Sequence, residues 1–444
     1  MVLRLIGEVF MGARTVDEAY HACHPEIPLE AGDPRYVDLT EVRGSFNLVE
    51  VFANRIKRTP SPTFHKQLIT GHRGCGKSTE LKQLKARLEK LGFFVVYIDV
   101  EDVLDLGEIE YLDVLVSIAK GVYEEANNCG LDVSQDLVED LDNWFAEKVL
   151  TEEQRQDVER ALRAEFGVGT KVPLLRMLAV ITGQIKSGSS RRVEIRRKLE
   201  RELSVFIQRL NVLLEDVQVR LAKRGKKGLV VIADGLEKMH YRELPDGQST
   251  HSKLFVEHAE QLKAPHCHIV YTVPISLVFN VNLGDAFPNT DVLPMVKVAE
   301  PNEARTPYEP GRKALFEIIS RRINIEAIFE NERPVWKLVD VCGGSVRDLL
   351  RLVRFACDEA DEVITEEHVE RAVRRMAREY DYLVHEDEIP YLKEIAQKRR
   401  VPGDETSARL LQKRLVLEYL NDERWADVHP ILRKAPRGRE ILGG

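Results

Sequence analysis

Four apolar runs stand out from an otherwise mixed chain. Residues 67–70 (QLIT) follow the proline-containing stretch 59–66 (TPSPTFHK), and the change predicts a loop leading into a short strand. Residues 93–100 (FFVVYIDV), 228–235 (GLVVIADG) and 268–273 (HIVYTV) are apolar without alternation. That pattern predicts strands of a parallel sheet buried on both faces. Between the second and third runs the spacing changes to steps of three and four. Ile195, Leu199, Leu203, Phe206, Leu210, Leu213, Val217 and Leu221 predict one amphipathic helix of roughly 40 Å, most simply a packing face. After Pro310 the pattern is helical to about residue 380, and residues 414–432 predict two short strands around an Asn421-Asp422 turn. Strands alternating with helices indicate an α/β protein with a parallel sheet.

Length and charge refine this picture. The 444 residues suggest about three domains at roughly 150 residues each. A net charge of −8 excludes a generally basic coat for nucleic acid, but it averages two unlike blocks. Residues 101–160 hold 18 acidic against 4 basic residues, and residues 184–227 hold 13 basic against 5 acidic. Six scattered cysteines without a CxxC pair fit a reducing cytosol. The opening MVLRLIGEVF is interrupted by Arg4 and Glu8 and lacks the apolar core of a signal peptide. No uncharged apolar run reaches the roughly 18 residues of a membrane span. A cytoplasmic protein without membrane association is expected.

The first strand runs into Gly71-His72-Arg73-Gly74-Cys75-Gly76-Lys77-Ser78-Thr79, which fits G-x-x-x-x-G-K-[ST] and precedes a helical pattern. Glycines let successive backbone N–H groups curl around phosphate oxygens, and the helix presents its N-terminus to the anion. Lys77 is expected on the outer phosphates and Ser78 on Mg²⁺. The third run ends in Asp234, where a carboxylate can hold the metal shell opposite Ser78, and Glu237 can orient an attacking water as general base. Lys77 and Asp234 lie 157 residues apart, whereas a βαβ unit takes about 30, so much of 125–227 is an insertion or an enlarged helical layer.

With this loop and strand, the chain resembles P-loop ATPases of the AAA+ and STAND group. The resemblance covers roughly residues 35–380, the insertion excepted. HIVYTV followed by Pro274 looks like the sensor-1 strand, with Thr272 implied at the terminal phosphate or the water. Residues 342–350 (CGGSVRDLL) look like the sensor-2 helix start, which implies that Arg347 projects onto the phosphates. Residues 356–373 are similar to the end of the helical lid in origin-recognition (Orc/Cdc6-type) ATPases, and the C-terminal unit resembles a winged helix. Tyr36 and Val37 lie where such proteins hold adenine. The implied organisation is an N-terminal extension (1–34), a P-loop core (35–300) with the insertion, a helical lid (301–380) and a winged-helix-like domain (381–444). Two departures matter. Gly235 stands where AAA+ proteins place a Glu directly after the metal-binding Asp, so slow hydrolysis is expected. Residues 251–304 contain no arginine, so a conventional arginine finger is missing; Arg242 and Arg305 flank the gap.

Other constellations carry less. His21, Cys23 and His24 with His266, Cys267 and His268 would make a poor zinc site, because alternate side chains of a strand diverge. Basic residues cluster at Arg191, Arg192, Arg196, Arg197 and Lys198, at Lys223, Arg224, Lys226 and Lys227, and at Lys398, Arg399, Arg400, Arg409, Lys413 and Arg414. They form either solvated faces neutralised by acidic neighbours or phosphate contacts with duplex DNA. The expected function is an ATP- and Mg²⁺-dependent switch that controls assembly or a protein effector, with homo-oligomers and a role in bacterial defence as family analogies. The alternative is a DNA-binding initiator or loader.

Overall fold

The computed structural model describes residues 12–150, 156, 174–187, 190–280, 283–420 and 423–443. Five parallel strands form the central sheet: β1 (Lys66–Thr70), β2 (Phe94–Asp99), β3 (Leu229–Asp234), β4 (His268–Thr272) and β5 (Thr290–Val292). Their order is β2-β3-β4-β1-β5. The four apolar runs are thus strands, and their continuity has a simple cause. Val95, Val230, Ile232 and Val270 face one helical layer, while Val96, Ile98, Leu229, Val231 and Ala233 face the other. Both faces are covered, so both sets of alternate positions must be apolar. The edge strand β5, only three residues long, has no such run and escapes the sequence pattern.

On one face the helix Lys77–Lys90 buries Leu81, Leu84 and Leu88 beside Phe52 and Ile56 of the helix Leu48–Arg58. On the other face the helix Tyr111–Asn128 packs with the inserted helices. The expected long helix is two helices, Ser190–Arg201 and Leu203–Lys223, interrupted at Glu202. The stripe from Ile195 to Leu221 is nevertheless buried, apart from Leu203, which is half-buried. A periodicity of apolar residues registers a common buried face but not a one-residue break.

The two charge blocks neutralise each other across this layer. Arg192 pairs with Asp105 and Glu108, Arg196 with Asp113 and Glu110, and Arg209 with Asp140. Arg224 donates to the carbonyls of Cys129 and Gly130.

A third core lies beyond the sheet. The helices Glu309–Ser320, Arg333–Val341, Val346–Cys357 and Glu366–Tyr382 share it with the N-terminal helix Val16–Ala22 and with the C-terminal segment. That segment contains an antiparallel hairpin of β6 (Val416–Leu420) and β7 (Arg424–Val428), whose Asn421-Asp422 turn lies outside the described residues, and ends in the helix Pro436–Leu442. The hairpin is buried on both faces. Val416, Ala426 and Val428 enter the helical core, while Leu417, Tyr419 and Trp425 enter the core on the sheet side. Tyr419 and Trp425 stack across the strands at 4.5 Å. No helix among the described residues is long and apolar enough to cross a membrane.

Candidate functional site

The strand order brings the carboxyl ends of β3, β4 and β1 side by side, so Asp234, Thr272 and the loop 71–78 meet at one edge of the sheet. Ligands of open parallel sheets bind at this kind of edge. The loop turns through left-handed glycines and delivers Lys77 to the start of its helix. At Gly74 (φ 91°) a Cβ would stand 2.4 Å from Cβ of Arg347, so the close approach of the two segments requires glycine. The Arg347 amide donates to the Gly74 carbonyl (3.2 Å), which ties the helix Val346–Cys357 to the loop.

Lys77 is buried. Its Nζ donates to the carbonyls of Gly71 (2.9 Å) and His72 (3.2 Å) and lies 3.4 Å from Glu237 Oε1. Burial opposes its charge, but Cys75, Glu237 and Asp234 outweigh burial and raise its pKa. Burial likewise works against an ionised Glu237, yet Lys77 and the Thr272 hydroxyl hold that carboxyl below its usual range. Asp234 is pushed the other way, by burial and then by the charge of Glu237, against hydrogen bonds from Ser78 and from the Tyr97 hydroxyl (2.5 Å). One oxygen of each carboxylate, Asp234 Oδ1 and Glu237 Oε2, is buried without a hydrogen-bond partner. Buried polar atoms are rarely left so. Hard oxygen donors at Ser78 and Asp234 suit a small divalent cation, so the residues fit Mg²⁺.

Thr272 accepts the amides of Gly235 (2.9 Å) and Leu236 (3.0 Å). Its hydroxyl thus shapes the turn that carries Glu237 and also bonds that carboxyl. The side chains of His72 and Cys75 point away from the site. Cys75 enters the sheet-side core, and both ring nitrogens of His72 engage the C-terminal segment. These two loop positions offer only backbone to a ligand. The Thr79 hydroxyl is taken by the Leu29 amide (3.2 Å).

An open cleft with about 140 Å³ of free internal volume lies over the loop. Tyr36, Val37, Leu39, Ile318 and Leu350 give it an apolar end, and Arg73, Lys77 and Arg347 a cationic one. Residues 25–29 close one side, so the expected N-terminal extension is, from residue 12, part of the cleft and of the helical core. Arg347 is paired with Glu26 from this strap. The buried Arg43, which the resemblance places on the adenine side with Tyr36 and Val37, bonds the Cys75 carbonyl and lies 3.3 Å from Glu80. Sequence reasoning missed Glu26, which no motif marks because its partner Arg347 lies 321 positions away.

Most of the C-terminal basic cluster is ion-paired within the chain, on the surface for Lys398 and Arg409 and more deeply for Arg399 and Arg414. Arg399 pairs with Asp427, Arg409 with Asp387, Lys413 with Glu388, Arg414 with Asp348, and Lys398 with Glu394. The helix Glu405–Gln412, which carries Arg409, packs against the helix Ile275–Asn280. The two cysteines weighed for zinc, Cys23 and Cys267, lie in separate cores, and no metal-ligating group of three or more His, Cys, Asp or Glu exists among the described residues.

No family model matches the chain, and no curated protein does. Among solved structures the chain is similar to Drosophila ORC bound to DNA (12% identity, TM-score 0.39, covering 97% of this chain and 94% of that one). It is also similar to the ADP form of the Aeropyrum pernix ORC2 protein (14%, 0.40, 95% and 95%). A third is Cdc6p from Pyrobaculum aerophilum (13%, 0.39, 97% and 98%). Likenesses this remote assign no activity. The parallel strand order and the glycine-rich loop after β1, which opens the helix Lys77–Lys90, give the chain a P-loop α/β fold.

Proposed function

We propose that the chain is a nucleotide-dependent switch that binds ATP with Mg²⁺ and hydrolyses it slowly. One observation carries this reading: two buried carboxylate oxygens, on Asp234 and Glu237, lack partners beside a buried P-loop lysine. Lys77 and Arg347 would hold the outer phosphates and Tyr36 and Val37 the base, while Ser78 and Asp234 would hold the metal. Bound Mg²⁺ neutralises phosphate charge there. Glu237, kept ionised, accepts a proton from water. Glu237 is paired with Lys77, and Arg347 with Glu26, so each of these cations has a carboxylate partner. Phosphates that draw both cations away release the base and loosen the strap, which suits a switch better than a motor.

Arg347 leads the helix whose next residue, Asp348, bonds Arg414 of the C-terminal segment (3.0 Å). The helical bundle and the C-terminal unit share one core, so they would respond to nucleotide together and alter a surface read by a protein partner or a second copy. The pairing of the C-terminal basic cluster supports this over DNA loading. The test is calorimetric titration with ATP and Mg²⁺. Lys77→Ala is expected to abolish binding, and Glu237→Gln to bind ATP but not turn it over. Retained affinity in the first variant would sink the proposal.

A further inference from the structure

Most cations around the cleft already have acceptors. Lys77 has two carbonyls and Glu237; Arg43 has Glu80 and the Cys75 carbonyl; Arg347 has Glu26. The two arginines flanking the arginine-free stretch are also committed. Arg242 donates to the Gly107 carbonyl (2.6 Å), and Arg305 is held by Asp427 (2.7 Å) on the hairpin. Arg73 differs. Its side chain is exposed and has no hydrogen-bond or ion-pair partner among the described residues. It also borders two cavities at once. One is the cleft with Lys77 and Arg347, and the other opens on the far side of Glu237.

Its backbone is well placed. Arg73 precedes Gly74, whose carbonyl accepts the Arg347 amide, so both guanidinium groups spring from segments locked together at the loop. Burial first, and then the charge of Arg73, lower the Arg347 pKa. Two guanidinium groups near each other repel unless an anion lies between them, and Glu26 engages only Arg347.

We propose that Arg73 is a catalytic residue supplied by the chain's own loop, whose guanidinium binds the terminal phosphate of a nucleoside triphosphate from the side opposite Arg347. This rests on the nucleotide reading above. In the step it serves, a water oxygen forms a bond to the terminal phosphorus. The bond from that phosphorus to the bridging oxygen breaks, and its electron pair leaves with the diphosphate. The water proton passes to Glu237. Arg73 gives up no atom and stabilises the charge on the transferring group, so the missing finger is replaced in cis.

The test compares the full-length chain with Arg73→Ala and Arg73→Lys. ADP and the non-hydrolysable AMP-PNP are titrated with Mg²⁺, and single-turnover ATP hydrolysis is followed at several protein concentrations. Arg73→Ala is expected to keep ADP affinity within about threefold and to lose on the order of tenfold or more for AMP-PNP. Its hydrolysis rate falls by about 10³, with Arg73→Lys intermediate. The wild-type rate constant is expected not to depend on protein concentration. Equal weakening of both nucleotides in Arg73→Ala would overturn the proposal, as would no change in either. So would a wild-type rate constant that rises with concentration, which points to a neighbour's arginine. A wild-type chain that binds neither nucleotide overturns the underlying reading as well, so the two failures are distinguishable.

Discussion

His72 joins the phosphate loop to the C-terminal hairpin, and its removal has a calculable consequence. The ring is fully buried. Nδ1 donates to the Leu411 carbonyl (3.2 Å), and Nε2 accepts the Glu418 amide (2.9 Å). Leu411 O keeps a second donor, the Arg414 amide, but the Glu418 amide has no other acceptor, because it lies on the edge of β6 away from β7. His72→Ala therefore strands one buried N–H at about 2 kcal/mol and leaves a cavity worth roughly 1 kcal/mol more. A loss of about 3 kcal/mol is expected by urea unfolding, with Trp425 fluorescence as local reporter. Burial, followed by the charges of Lys77, Arg414 and His429, lowers the His72 pKa to about 3, against the Leu411 carbonyl. The folded value lies below the unfolded one of about 6.5, so the unfolded chain takes the proton first. The stability His72 provides is complete above about pH 6.5 and falls as pH drops from there toward 3. At pH 5, about 1.5 units below the unfolded value, some 2 kcal/mol is gone at 1.36 kcal/mol per unit. The difference between wild type and variant is thus expected to shrink from about 3 kcal/mol at pH 7.5 to about 1 kcal/mol at pH 5. A difference below about 1 kcal/mol at pH 7.5, or one that does not change with pH, would refute the reasoning.

Three further outcomes follow from named contacts. Burial would raise the Asp348 carboxyl, but Arg414, His429 and Tyr380 hold it well below the usual range; Asp348→Asn leaves Arg414 buried without its counter-ion, and a loss of about 3 kcal/mol is expected in chemical denaturation. Arg196→Met strips the buried Asp113, whose carboxyl burial has already raised to about 6, and the loss is expected to be larger at pH 8 than at pH 5, where that carboxyl takes up a proton. Glu26→Gln frees the half-exposed pair with Arg347, so AMP-PNP is expected to bind about two- to fivefold tighter in calorimetry; unchanged or weaker binding would count against a resting role for the strap.

Sequence patterns served well where one physical requirement acted on consecutive residues. A strand buried on both faces must be apolar at every position, and β2, β3 and β4 were legible for that reason. The phosphate loop was legible because backbone curvature and a lysine at a set distance restrict residue types over eight positions. What failed was anything set by one residue meeting a distant one. Thr272 stands at the expected strand end, but which groups its hydroxyl meets depends on the Gly235 turn, 37 residues earlier. The break at Glu202 leaves the apolar period intact on both sides. Neutralisation of the basic block by acidic neighbours was one of two readings open in the sequence, but the individual pairs, as in Arg196 with Asp113, needed three dimensions.

The C-terminal hairpin shows why the last unit was the hardest to interpret. A winged unit that grips DNA leaves one face of its hairpin polar and exposed. Here Val416 and Val428 face the helical core while Leu417, Tyr419 and Trp425 face the sheet-side core. The free edge of β6 is used as well, with Glu418 N–H bonded to His72 and Glu418 C=O accepting the Met295 amide. A strand with two apolar faces and both edges paired has nothing left to offer a groove. It does have a continuous path from the phosphate loop, through His72, to the core that the helical bundle shares. If nucleotide shifts that loop, the Glu418 amide is among the first groups to lose or gain an acceptor. Its hydrogen-exchange rate is therefore a direct readout of coupling between the cleft and the C-terminal unit.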